Sequence, residues 1–206
     1  MKKFLFNLAL LILTYLFQSM DLENEPSVIV DSDMSFNEAI KGTQAPKDIL
    51  DSLVLVDLFY YSFDRKLHKG QLLVHKDLKD EVLEVFEMIK VLKFPIGKAI
   101  PIVKYNWSDE KSMLDNNTSS FNYRTIAGTN RLSLHARGRA IDINPFFNPV
   151  VYPDGRIEPK GAKYDPRRLG TFYATHPVVL EFKHLGWRWG GDFQSYKDYH
   201  HFDKEK

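Results

Sequence analysis

Two separate segments carry side chains that can bind a divalent metal ion. The first contains His135 and Asp142, seven positions apart, and the second contains Asp198, His200 and His201. Zinc binds imidazole nitrogen and carboxylate oxygen, and a catalytic zinc usually has three protein ligands and one position open to water. His135, Asp142 and one of the two neighbouring histidines would complete such a set. Asp198 would then be a carboxylate beside the metal that need not bind it.

The residues around Asp142 alternate in a way that predicts a strand with one polar face. Ile141 and Ile143 point toward the core, and Asp142 points to the opposite side. A carboxylate inside an apolar strand needs a charged partner or a metal, because burial of an isolated carboxylate is costly. His135 alone would be an ordinary surface histidine. Gly138, however, allows a tight reversal that could fold His135 back toward Asp142.

The two adjacent C-terminal histidines leave one choice open. Neighbouring side chains of a strand point to opposite faces, so only one of His200 and His201 can face Asp142. Periodicity alone does not decide between them. A turn at Tyr199 would bring Asp198 and His201 to the same site.

The rest of the pattern predicts an α+β fold with a small, mainly antiparallel sheet and helices packed on one side. The metal would lie in a cleft at that sheet. Apolar runs predict strands, and apolar positions three and four residues apart predict helices. On this basis we expect a hairpin of residues 53–63 and 72–74, helices at 76–92 and 177–185, strands at 100–103, 121–126, 139–144 and 200–202, and long loops at 106–122 and 145–170.

Length and composition limit the classes of function. The 206 residues suffice for one domain with appendages. The 28 basic and 27 acidic residues nearly cancel, so no nucleic-acid partner is expected. The chain has no Cys, which excludes disulfides and thiolate ligands, so any metal must use His and carboxylate. We expect a monomer.

The N-terminus predicts export. Two lysines precede an apolar run over residues 4–17, which is the pattern of a secretory signal and is short for a spanning helix. We interpret residues 1–20 as a signal peptide or an N-terminal anchor. Residues 21–45 are polar and acidic and predict a flexible arm, and residues 46–206 form the predicted zinc-binding domain. The protein is therefore expected in the periplasm or outside the cell, with membrane contact only through an uncleaved N-terminal segment.

Three motifs, in this order, carry a resemblance to a known family. They are Ser-x-His-x-x-Gly-x-Ala-x-Asp over residues 133–142, Gly-Trp-x-Trp-Gly-Gly over 186–191, and Asp-x-x-His-Phe over 198–202. Together they resemble the D-alanyl-D-alanine carboxypeptidase (VanY-like) family of zinc metallopeptidases. That family includes bacterial enzymes that remodel the cell wall and phage endolysins that cut L-alanyl-D-glutamate bonds. The resemblance covers about residues 106–202.

The resemblance implies a role for each matching residue. His135, Asp142 and His201 would bind Zn²⁺, and Asp198 matches the family's catalytic acid/base carboxylate. Arg124 matches an arginine that contacts the substrate carbonyl. These roles suit the chemistry, because a carboxylate can move protons between water and leaving amine, and a guanidinium can stabilise an oxyanion.

Four neighbouring residues have roles that the motifs define less sharply. Ser133 could bond the substrate or cap its loop, and Trp189 could pack in the core and line the cleft beside the substrate. His200 stands where relatives have a small residue or Pro. Asp203 stands where many relatives have Glu or Gln, a difference that is not expected to affect the metal.

Three functions compete on this sequence. The first is a zinc peptidase that hydrolyses peptidoglycan stem peptides, as a D,D-carboxypeptidase or an L-alanyl-D-glutamate endopeptidase. The second is a non-catalytic peptidoglycan-binding domain on the same scaffold, and the third is an exported structural protein with an incidental metal. The presence of both Asp198 and Arg124 favours the enzyme.

Overall fold

A computed structural model describes residues 27–205 of the chain. These residues form five helices: α1 Phe36–Ala39, α2 Lys47–Asp51, α3 Lys79–Val91, α4 Asp109–Leu114 and α5 Pro177–His184. The strands are β1 Ile29–Val30, β2 Leu53–Tyr61, β3 Leu67–His75, β4 Lys98–Ala99, β5 Asn117–Thr118, β6 Ala140–Asp142, β7 Val150–Val151, β8 Ile157–Glu158, β9 Arg188–Trp189, β10 Lys197–Asp198 and β11 His201–Asp203.

The long elements agree with the sequence prediction because their apolar patterns are strong. Strands β2 and β3 form the expected antiparallel hairpin, paired from Leu53 with His75 to Tyr61 with Leu67. Helix α3 lies on one face of this hairpin and buries Val82, Val85, Phe86 and Ile89 at spacings of three and four residues. A short 3-10 turn over residues 76–78 precedes the helix, within the range predicted as helical. Helix α5 also forms as expected, with Pro177 in its first turn.

The α+β class is confirmed, but the expected single sheet is replaced by four small ones. One sheet orders its strands β1-β3-β2, a second β10-β7-β8 and a third β6-β11-β9, while β4 and β5 form a parallel pair. Most strands outside the hairpin have only two or three residues. Because the turns between them are rich in Gly, Pro, Asn and Asp, no ladder is long enough to join these strands into one sheet.

The folded structure begins before residue 46, where the sequence predicted its start. Within the predicted arm, residues 21–45, strand β1 pairs with β3, and Ala39 of helix α1 is fully buried. Ser35 and Glu38 form a capping box that starts α1. These elements are too short to leave a periodic signal, which is why the sequence reads as a loose arm. Residues 21–26 of the arm lie outside the described residues.

The predicted loops also contain structure. Residues 106–122 include α4 and β5, and residues 145–170 include β7 and β8. The strand predicted at 100–103 does not form, because β4 ends at Ala99 and a 3-10 turn covers residues 102–105. Residues 121–126 do not form the predicted strand either and contribute only an isolated bridge between Thr125 and Leu132.

The predicted signal segment, residues 1–20, lies outside the described residues. Among residues 27–205, no helix has the length and apolar character needed to cross a membrane.

Candidate metal centre

Three side chains from two strands and a turn meet at one point. His135 Nε2 lies 3.2 Å from His201 Nδ1 and 3.2 Å from Asp142 Oδ2, and His201 Nδ1 lies 3.0 Å from Asp142 Oδ1. Among the residues that the structure describes, this is the group of His and carboxylate side chains whose ligand atoms lie close enough together to hold a metal ion. The structure thus brings together the three residues that the motifs indicated.

His135 is positioned by a 3-10 turn over residues 134–137. The Ser133 hydroxyl caps this turn by accepting from the His135 backbone N–H at 3.3 Å. The His135 ring donates from Nδ1 to the Ser120 carbonyl at 2.6 Å, so the Nε2 lone pair is left for the centre. Gly138 ends the turn at φ +65°, and a Cβ there would meet Leu53 and the backbone at His75. The tight reversal expected at this glycine is present.

Asp142 and His201 come together through strand register. They are direct partners in the antiparallel pair of β6 and β11, so their side chains project from the same face. Ile141 and Ile143, on the other face, are fully buried in the main core. The pairing therefore selects His201, rather than His200, as the partner of Asp142 at this point.

His200 occupies a different place beside the centre. Its Nδ1 donates to the Asn148 carbonyl at 2.7 Å, which fixes the ring. Its Nε2 lies 3.0 Å from Asp198 Oδ1 and 3.9 Å from Asp142 Oδ1. His200 is thus a neighbour of the carboxylate predicted as catalytic, and this contact was not predicted from the sequence.

Asp198 ends strand β10, and the two-residue turn that follows leads directly to His201. Its contact with His200 is short enough for an ion pair but lacks hydrogen-bond angles, and Oδ1 is buried with no hydrogen-bond partner in the described part of the chain. Gly190 allows the Asp198 backbone to lie close against it, because a Cβ there would lie 2.4 Å from the Asp198 carbonyl. A buried carboxylate oxygen with unused acceptor capacity is suited to accept a proton.

Asp203 is a functional neighbour that sequence reasoning missed. Its Oδ2 accepts from His201 Nε2 at 2.9 Å, so a change at Asp203 bears directly on the centre. This position was not connected with the metal from the sequence, whereas the structure places its carboxylate against a candidate ligand. The signal was available, since residues two apart on a strand share one face, and Asp203 follows His201 by two positions on β11.

The electrostatic environment of the centre favours the binding of a cation. Burial alone would lower the pKa of His201, but hydrogen bonds with Asp142 and Asp203 outweigh burial and raise that pKa to about 10. Burial alone would raise the pKa of Asp142, but the neighbouring imidazoles of His135 and His200 outweigh burial and hold that pKa well below its usual value. The carboxylate is thus ionised, and the site retains a proton that a divalent cation would replace.

The three side chains fit a zinc ion. Zinc binds imidazole nitrogen and carboxylate oxygen at about 2.0–2.2 Å, so two ligands of one tetrahedral ion lie about 3.3 Å apart. The separations of 3.0–3.2 Å among His135, Asp142 and His201 are close to that value. Two imidazoles and one carboxylate leave a fourth position open, as in catalytic zinc sites.

Arg124 lies in the segment beside the His135 turn. Its carbonyl accepts from the Ser133 backbone N–H at 3.0 Å, and its Nε lies against the Asp109 carboxylate. Asn122 also donates to Asp109, at 2.7 Å, so this carboxylate anchors the segment. In the described contacts the Arg124 side chain pairs with Asp109 and does not reach the three ligands, while its terminal nitrogens keep free N–H groups.

The two remaining predicted site residues have supporting positions. Ser133 is buried and caps the His135 turn, which is one of the two roles expected for it. Trp189 has 3% of its surface exposed, and its indole N–H donates to the Tyr199 carbonyl at 3.0 Å. Trp189 therefore packs in the core and has little surface left for a substrate.

Comparison with known proteins adds one finding. A family model described as D-alanyl-D-alanine carboxypeptidase matches residues 127–204. The matched region contains the three candidate ligands and Asp198, and Arg124 precedes it. The match supports the resemblance carried by the motifs, and it supports a hydrolase of the peptidase type. No curated protein and no solved structure gives a significant match to the chain.

Proposed function

From the match of residues 127–204 to the D-alanyl-D-alanine carboxypeptidase family, we propose that this protein is a zinc-dependent peptidase that hydrolyses peptidoglycan stem peptides. The observation that carries the proposal is the convergence of His135 Nε2, His201 Nδ1 and the Asp142 carboxylate within 3.0–3.2 Å of one another. Bound zinc would lower the pKa of a coordinated water to about 7 and polarise the scissile carbonyl.

In this proposal the side chains around the centre have distinct roles. His135, Asp142 and His201 hold the ion, and their neighbours fix the ring orientations. Asp198 accepts the proton of the attacking water at a carboxylate oxygen and delivers a proton to the leaving amine. His200 Nε2 lies 3.0 Å from Asp198 Oδ1, beside the carboxylate that takes this role.

Arg124 is proposed to face the substrate. The Asp109 carboxylate lies against Nε at one edge of the guanidinium, and the described contacts leave the terminal nitrogens free. These N–H groups would stabilise the developing oxyanion or hold a substrate carboxylate. The anchoring of Asp109 by Asn122 at 2.7 Å would keep the arginine oriented before substrate arrives.

The identity of the cleaved bond is determined by incubation with a purified pentapeptide muropeptide and mass spectrometry of the products. A D,D-carboxypeptidase removes one alanine mass, and an L-alanyl-D-glutamate endopeptidase releases the peptide without its L-alanine. Either product, formed only with zinc, is the expected result. If zinc is bound and neither product forms, the peptidase proposal fails and the non-catalytic peptidoglycan-binding domain takes its place.

Export is a further prediction. The two N-terminal lysines and the apolar run at residues 4–17 are expected to direct export. The chain would then leave the cytoplasm and reach the compartment that contains its proposed substrate. Cell fractionation of the full-length protein checks this, with an otherwise identical chain that starts at residue 21 as the control. Recovery of the full-length protein only in the cytoplasm, at unreduced mass, would contradict the prediction.

A further inference from the structure

A carboxylate behind His201 links the candidate metal ligand to the protein surface. Asp203 Oδ2 accepts from His201 Nε2 at 2.9 Å, on the side of the ring that faces away from His135 and Asp142. The same carboxylate accepts from Arg188 Nε at 2.6 Å and from Arg188 Nη2 at 3.0 Å. The three residues form a continuous chain of hydrogen bonds, with Asp203 between the imidazole and the guanidinium.

The fold places this chain of contacts with little freedom. His201 and Asp203 are two positions apart on β11 and therefore share one face. Arg188 is the direct partner of Asp203 in the antiparallel pair of β9 and β11. The Asp203 side chain is 5% exposed, whereas that of Arg188 is 57% exposed, so a solvent-facing residue holds a buried one.

We propose that Asp203, clamped by Arg188, is a positioning residue that sets how tightly the centre binds zinc. The inference rests on the proposed zinc site. The hydrogen bond to Asp203 holds a proton of His201 on Nε2, so that Nδ1, which faces Asp142 and His135, is the ring nitrogen that would bind a metal ion once its own proton is displaced. The carboxylate also raises the basicity of the ring as a ligand.

The bidentate arginine gives this arrangement its geometry. Two parallel hydrogen bonds from one guanidinium fix the plane of a carboxylate as well as its position. With that plane fixed, Oδ2 lies where His201 Nε2 can donate to it, and the imidazole cannot rotate without breaking the bond. Arg188 therefore acts on the metal through two intermediates, although it contacts none of the three ligands among the described residues.

The test is the zinc dissociation constant, measured by competition with a chromophoric chelator and independent of hydrolysis. Asp203→Asn is expected to weaken zinc binding by roughly 10–100-fold, the range typical of such outer partners. Arg188→Gln is expected to weaken it by less, about 2–10-fold, because Asp203 remains. The matched control is Asp165→Asn, which removes the carboxylate of an exposed Arg–Asp pair with Arg167 and is expected to change nothing.

Thermal melting of the metal-free variants separates this role from a structural one. A structural role would lower the melting temperature and leave the dissociation constant of the folded protein unchanged, and that result would overturn the inference. If Asp203→Asn does not fold, Arg188→Gln decides, and an unchanged constant there overturns it too. A wild-type protein that binds no zinc would instead defeat the proposed function itself.

Discussion

His201→Ala is expected to lose tightly bound zinc, whereas His200→Ala is expected to keep it at about one ion per chain. The reason is strand register, since His201 is paired with Asp142 across β6 and β11, and His200 contacts Asn148 and Asp198 instead. Elemental analysis after gel filtration measures the difference. The two variants form a matched pair, because each replaces one of two adjacent imidazoles.

Both variants must also be shown to fold, because a misfolded protein would lose zinc for an unrelated reason. Removal of His201 leaves the carboxylates of Asp142 and Asp203 without their shared imidazole partner, which is costly in a buried site. Circular dichroism and melting should therefore accompany the metal analysis. Equal zinc content in the wild type and in folded His201→Ala would show that the ligand assignment is wrong, as would loss of zinc from His200→Ala alone.

Asp198→Asn is expected to keep zinc and fold while losing most activity. General acid–base catalysis typically contributes about 10²–10⁴-fold, and an amide of the same shape cannot accept the water proton. The Asp198 side chain lies beside the centre but outside the group of three ligands. Turnover of the muropeptide by the zinc-loaded variant measures the loss.

Zinc content decides how a loss of activity in Asp198→Asn is interpreted. A variant with full zinc and low turnover supports the proton-transfer role. A variant that has lost its zinc would identify Asp198 as a ligand, and wild-type turnover with full zinc would remove it from the mechanism. His200→Gln is a useful companion, because it disturbs the orientation of Asp198 without changing the carboxylate.

The sequence predicts the structure best where an apolar pattern is long, or where a residue type such as glycine is required by one particular backbone conformation. Strand β2 and helix α3 have extended apolar periodicity, and both form nearly as expected. Gly138 also indicated its position, because the tight reversal expected there is present as a left-handed turn. In each of these positions, a local property of the chain determines the structure.

The sequence predicts poorly where the outcome depends on contacts between distant segments. Apart from the family resemblance, which indicated His201, it is the register of β11 against β6 that distinguishes His201 from His200, and register is a property of both strands. The contact of His200 with Asp198 depends on the turn at residues 199–200 and on the Asn148 carbonyl. Segment 27–45 was misjudged for the same reason, because its one-turn helix and two-residue strand are stabilised by the hairpin and not by their own periodicity.

The contacts of Asp203 are only partly predictable from the sequence. Its spacing of two residues from His201 on a strand predicts a shared face, so the contact could have been inferred. Its second partner, Arg188, could not, because the pairing of β9 with β11 joins residues 15 positions apart.

We propose that hydrolysis by this protein depends on one zinc ion held by His135, Asp142 and His201. The most direct test titrates zinc into the metal-free protein while bound zinc and muropeptide hydrolysis are measured on the same samples. Hydrolysis is expected to be absent without metal, to rise in proportion to bound zinc and to level off at about one equivalent. Hydrolysis by the metal-free protein, or a full equivalent of bound zinc with no hydrolysis, would contradict the proposal.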